Sequence, residues 1–219
     1  MKKKAIIISL KSQKITSMEK KLLRTQNPWG LILFKRNIKS LHQVKTLIKQ
    51  IRKFTKDPKL PIMIDEEGRT VSRLSSVIKH DFTQKFFGNI YKSNSKISIA
   101  IYKNYIDSLS KFLKNIGINI NTVPVLDVLR KKTNKIIGSR SFSHNPSIVK
   151  ELGRVCVNQY NLNKIGTVIK HIPGHGCATS DSHLKLPRVK LSYNELNKID
   201  FSPFKLNSSK FAMTAHILY

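Results

Sequence analysis

A short polar segment near the C-terminal end of the chain, KHIPGHGCATSDSH at 170–183, concentrates side chains that can transfer protons. Asp181 and His183 are two residues apart, so both side chains project to the same side of an extended loop. A carboxylate that accepts a hydrogen bond from an imidazole fixes its tautomer and raises its basicity, and histidine exchanges protons near neutral pH. The chain has no Gly-x-Ser-x-Gly motif to supply a serine nucleophile. We therefore predict that the dyad assists a leaving group or a water molecule.

Two other interpretations of this segment are a zinc site and an ordinary polar loop. His171 and His175 have the i, i+4 spacing of a helical metal-binding pair, but Pro173 and Gly174 between them oppose a helix. No cysteine or second acidic residue with suitable ligand spacing follows. We predict that the protein needs no metal ion and no other cofactor, and a polar loop without catalytic role is the remaining alternative.

The elements that position this segment alternate between apolar strands and amphipathic helices. Short runs rich in β-branched residues and flanked by turn residues predict buried strands at 5–10, 29–34, 60–65, 120–128, 166–171 and 211–216. Apolar residues with helical spacing predict helices over 40–54, from 97 to Gly117 and over 146–166, and a capping box at 192–195 predicts a further short helix. Because strands that alternate with helices form parallel βαβ units, we predict an α/β fold.

Polar groups follow most of the predicted strands, and this favours a (β/α)8 TIM-type barrel, whose functional groups lie at the carboxyl ends of the strands. DEEG follows the third strand, LDV ends the fourth, HIPGHG follows the fifth and AH ends the sixth. A doubly wound sheet is the alternative, but no glycine fingerprint follows the first strand. The chain supplies about six of the eight strands. We therefore predict one barrel domain over 1–219 that lacks its C-terminal part and leaves the first and sixth strands as edges.

The net charge of +29 is compatible with a nucleic-acid-binding protein, because lysine and arginine contact phosphates. However, the lysines are spread along the whole chain, and no aromatic–arginine stacking motif accompanies them. We therefore predict a solvated basic surface and no nucleic-acid partner, with nucleic-acid binding as a distant alternative.

The composition also bears on the location of the protein. No run approaches the roughly 18–20 apolar residues that span a bilayer, and the apolar stretch 5–10 is shorter than the ~7–15 residues of a secretory signal. Two cysteines, Cys156 and Cys177, do not frame a disulfide scaffold. We predict a cytoplasmic protein without a membrane partner.

Six motifs of the chain occur in the order in which one known family has them. They are GLILFKRNI (30–38), IDEEGRTVSRL (64–74), INTVPVLDV (120–128), IGSRSFSHNP (137–146), KHIPGHGCATSDSHLKLP (170–187) and MTAHILY (213–219). With them the chain resembles the family-3 glycoside hydrolases over essentially its whole length, in particular the cytoplasmic β-N-acetylhexosaminidases of peptidoglycan recycling. The resemblance implies removal of terminal β-linked N-acetylglucosamine from muropeptides, with retention through a covalent intermediate.

The resemblance also implies roles for individual residues. His183 would be the general acid/base, and Asp181 would orient it. The N-acetylglucosaminyl unit would be bound by Asp65, Arg73, Arg140, Lys170 and His171, although Arg140 alone is also compatible with a loop cap and Asp65 with a strand end. The family's nucleophilic aspartate follows the next strand, so we expect it beyond residue 219. A catalytically inactive sugar-binding remnant is therefore the alternative function.

Two segments depart from the family's pattern. Its second glycine in the Asp-x-Glu-Gly-Gly-Arg motif is Arg69 here, and the arginine that follows is Thr70. Because arginine does not readily adopt the positive φ open to glycine, either the turn is rearranged or Arg69 replaces the missing guanidinium. Cys177 stands where a polar residue is common, which a loop should tolerate.

Overall fold

A computed structural model describes residues 2–181, 184, 186–205 and 208–219 of the chain. Its strands are β1 (Lys4–Ile8), β2 (Pro28–Leu33), β3 (Ile62–Ile64), β4 (Glu66–Gly68), β5 (Val71–Ser72), β6 (Ile120–Asn121), β7 (Gly166–Ile172) and β8 (Phe211–Thr214). Its α-helices are α1 (Ser17–Gln26), α2 (Leu41–Thr55), α3 (Gln84–Ser93), α4 (Ser95–Ile116), α5 (Pro146–Leu162) and α6 (Tyr193–Lys198). Short 3-10 helices cover Lys35–Asn37, Gly138–Arg140 and Ser202–Phe204.

Six of these strands form one sheet in the order β1-β2-β3-β6-β7-β8, and every neighbouring pair is parallel. With helices between successive strands this is a partial barrel, so the predicted incomplete TIM-type α/β fold is confirmed. In the described ranges of the chain, β1 and β8 each pair with one neighbour only, as expected for the two edges.

The predicted helices form where their apolar spacing and caps indicate. The Ser40 side chain accepts a hydrogen bond from the backbone of Gln43 at the start of α2, whose apolar stripe is buried against the sheet core. Burial of each such leucine or isoleucine contributes about 2 kcal/mol. At the end of α4, Gly117 adopts a φ of 94°, a left-handed conformation that favours glycine.

Two predicted boundaries are wrong. The fourth strand is only Ile120–Asn121, because Pro124 has no N–H to continue the ladder, and pairing resumes as a single bridge between Val125 and Lys170. The helix predicted over 146–166 ends at Leu162, since Gly166 belongs to the next strand, where its N–H donates to the Asn119 carbonyl at 2.8 Å.

Alternation along the strands separates two apolar clusters. Ile62 and Ile64 face the main core beneath the helices, whereas Met63 packs with Val168 in a smaller cluster on the inner face of the sheet. Lys170 lies two residues after Val168 on the same strand and therefore also points inward, toward the carboxyl end of the partial barrel. None of the helices in the described ranges has the length and apolar composition to cross a membrane.

Candidate functional site

The carboxyl ends of β2, β3 and β7 surround a cleft of about 510 Å³. It is lined by Ile32, Phe34, Asp65, Glu67, Thr70, Val71, Arg73, Lys135, Ile136, Arg140, Lys170, His171 and Met213. All five predicted binding residues are among them. Asp65 and Lys170 are 105 positions apart in the chain and yet in direct contact. The structure thus brings together the side chains that the sequence indicated, as expected for loops that follow parallel strands.

Asp65 comes directly after β3 and is held by groups from three parts of the chain. Its Oδ2 accepts a hydrogen bond from Arg73 Nη2 at 3.1 Å, and its Oδ1 lies 3.1 Å from Lys170 Nζ and also accepts from the Thr122 hydroxyl. Burial alone would raise the pKa of the Asp65 carboxyl, but Lys170, Thr122 and Arg73 hold that pKa well below its ordinary value. Asp65 is therefore ionised at neutral pH.

Glu67 is the main cleft residue that the sequence interpretation missed. Its carboxylate accepts two hydrogen bonds from the Arg140 guanidinium, at 2.7 and 2.9 Å, and lies 2.6 Å from Lys170 Nζ. Burial would raise the pKa of Glu67, but the charges of Lys170 and Arg140 lower it overall. The signal for Glu67 was the run of three consecutive acidic residues in a chain that has only 12. Glu67 joins two of the predicted binding residues.

The middle acid of this run, Glu66, shapes the hairpin beside the cleft. Its Oε2 accepts hydrogen bonds from the backbone N–H groups of Arg73 and Leu74, both at 2.9 Å, and its Oε1 lies 2.8 Å from His80 Nε2. Glu66 is buried and does not line the cleft. It therefore fixes the backbone of the segment that presents the Arg73 side chain.

His171 lies at the end of β7, and a fully buried carboxylate contacts its ring. His171 Nδ1 is 2.7 Å from Asp127 Oδ2, while Asp127 Oδ1 accepts the backbone N–H groups of His171 at 3.3 Å and His175 at 2.6 Å. The other ring nitrogen, Nε2, is 3.5 Å from Arg140 Nη2. The structure thus contains an Asp–His pair that the spacing of residues along the chain did not indicate.

The predicted pair of Asp181 and His183 is not tested, because His183 lies outside the described residues. Asp181 is half-buried, and its carbonyl accepts a hydrogen bond from the Leu184 N–H at 3.2 Å. The acid/base role of the dyad stays a prediction.

The base of the loop that carries Asp181 is packed closely. A Cβ atom on Gly176 would lie 1.8 Å from the Val128 carbonyl oxygen, so only glycine permits this approach. The Tyr219 hydroxyl donates to the Gly174 carbonyl at 2.6 Å. Burial raises the pKa of the Cys177 thiol to about 12, which keeps it neutral. These contacts fix the start of the loop to the segments that follow β6 and β8.

Of the two alternatives for Arg69, the one in which its side chain replaces the family's missing guanidinium in the cleft is wrong. Its side chain is largely exposed at the turn between β4 and β5, with Nε 3.7 Å from Asp81, because the turn points it away from the cleft. The neighbouring Thr70 does line the cleft, and its hydroxyl is 2.7 Å from the Ser139 hydroxyl in the 3-10 helix that carries Arg140. Thr70 therefore links the hairpin to that helix.

The two histidines of the predicted zinc alternative, His171 and His175, lie close together at the end of β7 and in the loop after it. Across the part of the chain that the structure describes, no three His, Cys, Asp or Glu side chains are grouped so that they could hold a metal ion. The rings of His171 and His175 have their centroids 5.9 Å apart.

The chain is similar in sequence to known proteins over most of its length. Residues 2–219 match the family described as "Glycosyl hydrolase family 3 N terminal domain". The chain is 31% identical over 218 residues to a beta-hexosaminidase of Neisseria meningitidis, covering 98% of this chain and 60% of that protein. It is 34% identical over 199 residues to beta-hexosaminidase A of Pseudoalteromonas piscicida, covering 87% of this chain and 33% of that protein.

Solved structures agree with the sequence comparison. The crystal structure of NagZ from Neisseria gonorrhoeae in complex with N-trifluoroacetyl-D-glucosamine has a TM-score of 0.89 and 30% identity, covering 98% of this chain and 64% of that one. A family 3 β-N-acetylglucosaminidase from Paenibacillus has a TM-score of 0.88 and 26% identity, covering 97% of this chain and 40% of that one. The chain thus spans less than two thirds of the length of each of these relatives.

Proposed function

The chain belongs to glycosyl hydrolase family 3, and from this premise we propose that its cleft binds the terminal N-acetylglucosaminyl unit in a retaining β-N-acetylhexosaminidase. The observation that carries the proposal is the convergence of Asp65, Arg73, Arg140, Lys170 and His171 on one cleft. The names of the relatives, and the glucosamine derivative bound to the Neisseria gonorrhoeae protein, support a sugar of this class.

The chemistry of the cleft suits a sugar. Hydroxyl groups both donate and accept hydrogen bonds, and the cleft offers carboxylate acceptors beside ammonium and guanidinium donors. Arg73 keeps about a third of its side chain exposed while it holds Asp65, so part of its guanidinium is available to a ligand. Apolar side chains such as Ile32 and Met213 supply surface for the C–H face of the ring.

Each of the two carboxylates that line the cleft forms salt bridges with two cationic side chains. Asp65 contacts Arg73 and Lys170, and Glu67 contacts Arg140 and Lys170. A retaining glycosidase needs a carboxylate that attacks the anomeric carbon, and one engaged by two cations is a poor nucleophile. We therefore place the nucleophile beyond residue 219, with His183 as general acid/base and Asp181 as its orienting partner. These contacts equally favour the alternative in which this chain by itself binds sugar without hydrolysing it.

We further infer the substrate and the location. The substrate is a muropeptide with a terminal β-linked N-acetylglucosamine, so the reaction serves peptidoglycan recycling, and basic residues such as Lys135 at the cleft suit an acidic peptide stem. The location is cytoplasmic, which agrees with two cysteines that form no disulfide.

A binding experiment tests the cleft. The 219-residue chain is titrated with N-acetylglucosamine, and the dissociation constant is compared between the wild type, Arg73→Ala and Arg154→Ala. Arg73 lines the cleft, whereas Arg154 pairs with Glu151 on the surface of α5 and is the matched control. We expect about tenfold weaker binding for Arg73→Ala, from the loss of a charged hydrogen-bond donor, and no change for Arg154→Ala. Equal affinities for all three proteins would overturn the assignment of the cleft.

A further inference from the structure

The ring of His171 is held at both of its nitrogen atoms. At one end, Nδ1 is 2.7 Å from Asp127 Oδ2, and at the other Nε2 is 3.5 Å from Arg140 Nη2. An ionised carboxylate only accepts hydrogen bonds, and a guanidinium only donates them. Both neighbours therefore favour the same neutral tautomer, in which the proton is on Nδ1 and the lone pair is on Nε2.

Asp127 is built to stay ionised. Its side chain has no solvent exposure, but its Oδ1 accepts the backbone N–H groups of His171 and His175 while Oδ2 faces the imidazole. Burial alone would raise the pKa of Asp127, and the His171 ring together with these N–H donors lowers it overall. Because both oxygens already have donors, the carboxylate has one orientation, and it aims Oδ2 at Nδ1.

The Nε2 end of the His171 ring lies at the ligand space. His171 lines the 510 Å³ cleft and also an adjoining cavity of about 170 Å³, and Arg140 lines both. The His171 side chain is 16% exposed, so the ring reaches the ligand space with only part of its surface. Because Nδ1 faces the buried Asp127, Nε2 is the ring nitrogen on the cleft side, and its contact of 3.5 Å with Arg140 is long enough for a hydroxyl hydrogen to take its place on the lone pair.

We propose that Asp127 is a positioning residue, which fixes His171 as the Nδ1–H tautomer so that Nε2 accepts a hydrogen bond from a sugar hydroxyl. Asp127 acts through the imidazole and does not touch the ligand itself. The cationic N–H groups of the cleft donate to hydroxyl oxygens, whereas the Nε2 lone pair accepts a hydroxyl hydrogen. A fixed acceptor therefore determines how a sugar hydroxyl is oriented. The tautomer follows from the protein alone, and only its use by a sugar rests on the function proposed above.

Nuclear magnetic resonance tests the tautomer without any ligand. Two-bond ¹H–¹⁵N correlation spectra of the ¹⁵N-labelled chain at alkaline pH, where imidazole is neutral, separate Nδ1–H from Nε2–H rings. The chain has seven histidines, so the His171 signals are assigned by their loss in His171→Gln. We expect the Nδ1–H pattern in the wild type. An Nε2–H pattern for His171 would overturn the proposal at once, whatever any variant does.

The substitution Asp127→Asn should reverse the tautomer of His171. The two backbone N–H groups hold the amide oxygen at the Oδ1 position, so the amide NH2 faces Nδ1 and favours the Nε2–H tautomer. The matched control is Asp200→Asn, because Asp200 is equally buried but pairs with Arg130 instead of an imidazole. We expect a switch of tautomer in the first variant only. A variant at Asp127 that folds and keeps the wild-type pattern contradicts the proposal.

Titration with N-acetylglucosamine connects the tautomer to binding. We expect Asp127→Asn to weaken binding about tenfold, because Nε2–H cannot accept the hydroxyl hydrogen and faces the N–H donors of Arg140. Asp200→Asn should keep the wild-type affinity. Wild-type chain that shows the Nδ1–H pattern but binds no N-acetylglucosamine refutes the proposed function and leaves the positioning by Asp127 intact. Unchanged affinity in Asp127→Asn despite a switched tautomer refutes the acceptor role of Nε2.

Discussion

Replacement of Glu67 by glutamine should destabilise the protein strongly, although it changes neither the size nor the shape of the side chain. Glu67 is almost fully buried and compensates the charges of Arg140, which is 10% exposed, and Lys170, which is 2% exposed. In Glu67→Gln, Lys170 keeps its contact with Asp65, whereas Arg140 keeps, among the described residues, the longer-range attraction of Asp127 and Asp65. The two-bond ion pair of Arg140 is then replaced by a hydrogen bond to the neutral glutamine oxygen, beside the existing bond to the Ile136 carbonyl at 3.2 Å.

The magnitude follows from this burial. Removal of one partner from a buried ion pair costs about 3–5 kcal/mol, and the glutamine oxygen keeps one hydrogen bond, so we expect a loss of about 3 kcal/mol in the free energy of unfolding. For a chain of this size each 1 kcal/mol lowers the melting temperature by about 2–4 °C, which gives a decrease of roughly 9 °C. Glu151→Gln, which removes the partly exposed partner of Arg154 at the surface, is the matched control and should leave the melting temperature nearly unchanged.

The same substitution has a defined pH dependence. The folded-state pKa of Glu67 lies below its ordinary value, so its stabilisation is complete above the unfolded-state pKa of about 4.3 and is lost as the pH falls through the folded-state pKa. The difference in unfolding free energy between wild type and Glu67→Gln should therefore be largest at neutral pH and shrink in acid. Urea unfolding followed by circular dichroism measures it. A difference below about 1 kcal/mol at neutral pH, or one that grows in acid, would refute the reasoning.

Three further predictions follow from the loops around the cleft and from the position of the nucleophile. Gly176→Ala should lose more than about 2 kcal/mol of unfolding free energy, because its Cβ would lie 1.8 Å from the Val128 carbonyl oxygen, and an unchanged urea midpoint would contradict this packing. Arg69→Ala should bind N-acetylglucosamine as the wild type does, since Arg69 points to Asp81 outside the cleft, and a tenfold loss of affinity would show that it reaches the ligand. The 219-residue chain alone should release no chromogenic leaving group from a β-N-acetylglucosaminide. Steady turnover that His183→Ala abolishes would mean that a carboxylate within these residues is the nucleophile.

The order of strands and the place of the cleft could be predicted from the sequence because both depend on local patterns. Short apolar runs define buried strands, amphipathic stretches between them define helices, and their alternation leaves a parallel arrangement as the consistent solution. In that arrangement every strand ends at the same side of the sheet, so the residues after β3 and at the end of β7 had to meet. Asp65 and Lys170 were brought together by this topology alone.

Only the tertiary structure decided which charges pair inside the cleft. Glu66 and Glu67 are adjacent and chemically identical in the sequence, yet Glu66 caps backbone N–H groups of the hairpin while Glu67 neutralises Arg140. Their roles follow from the hairpin β4–β5, which turns one carboxylate inward and the other toward the loop backbone, and no apolar periodicity predicted that hairpin. The contact of Asp127 with His171 likewise depends on the approach of two loops 44 positions apart. Local sequence patterns specify helices and strands, whereas ion-pair partners depend on distances of a few ångströms between loops, which are set only when the whole sheet has assembled.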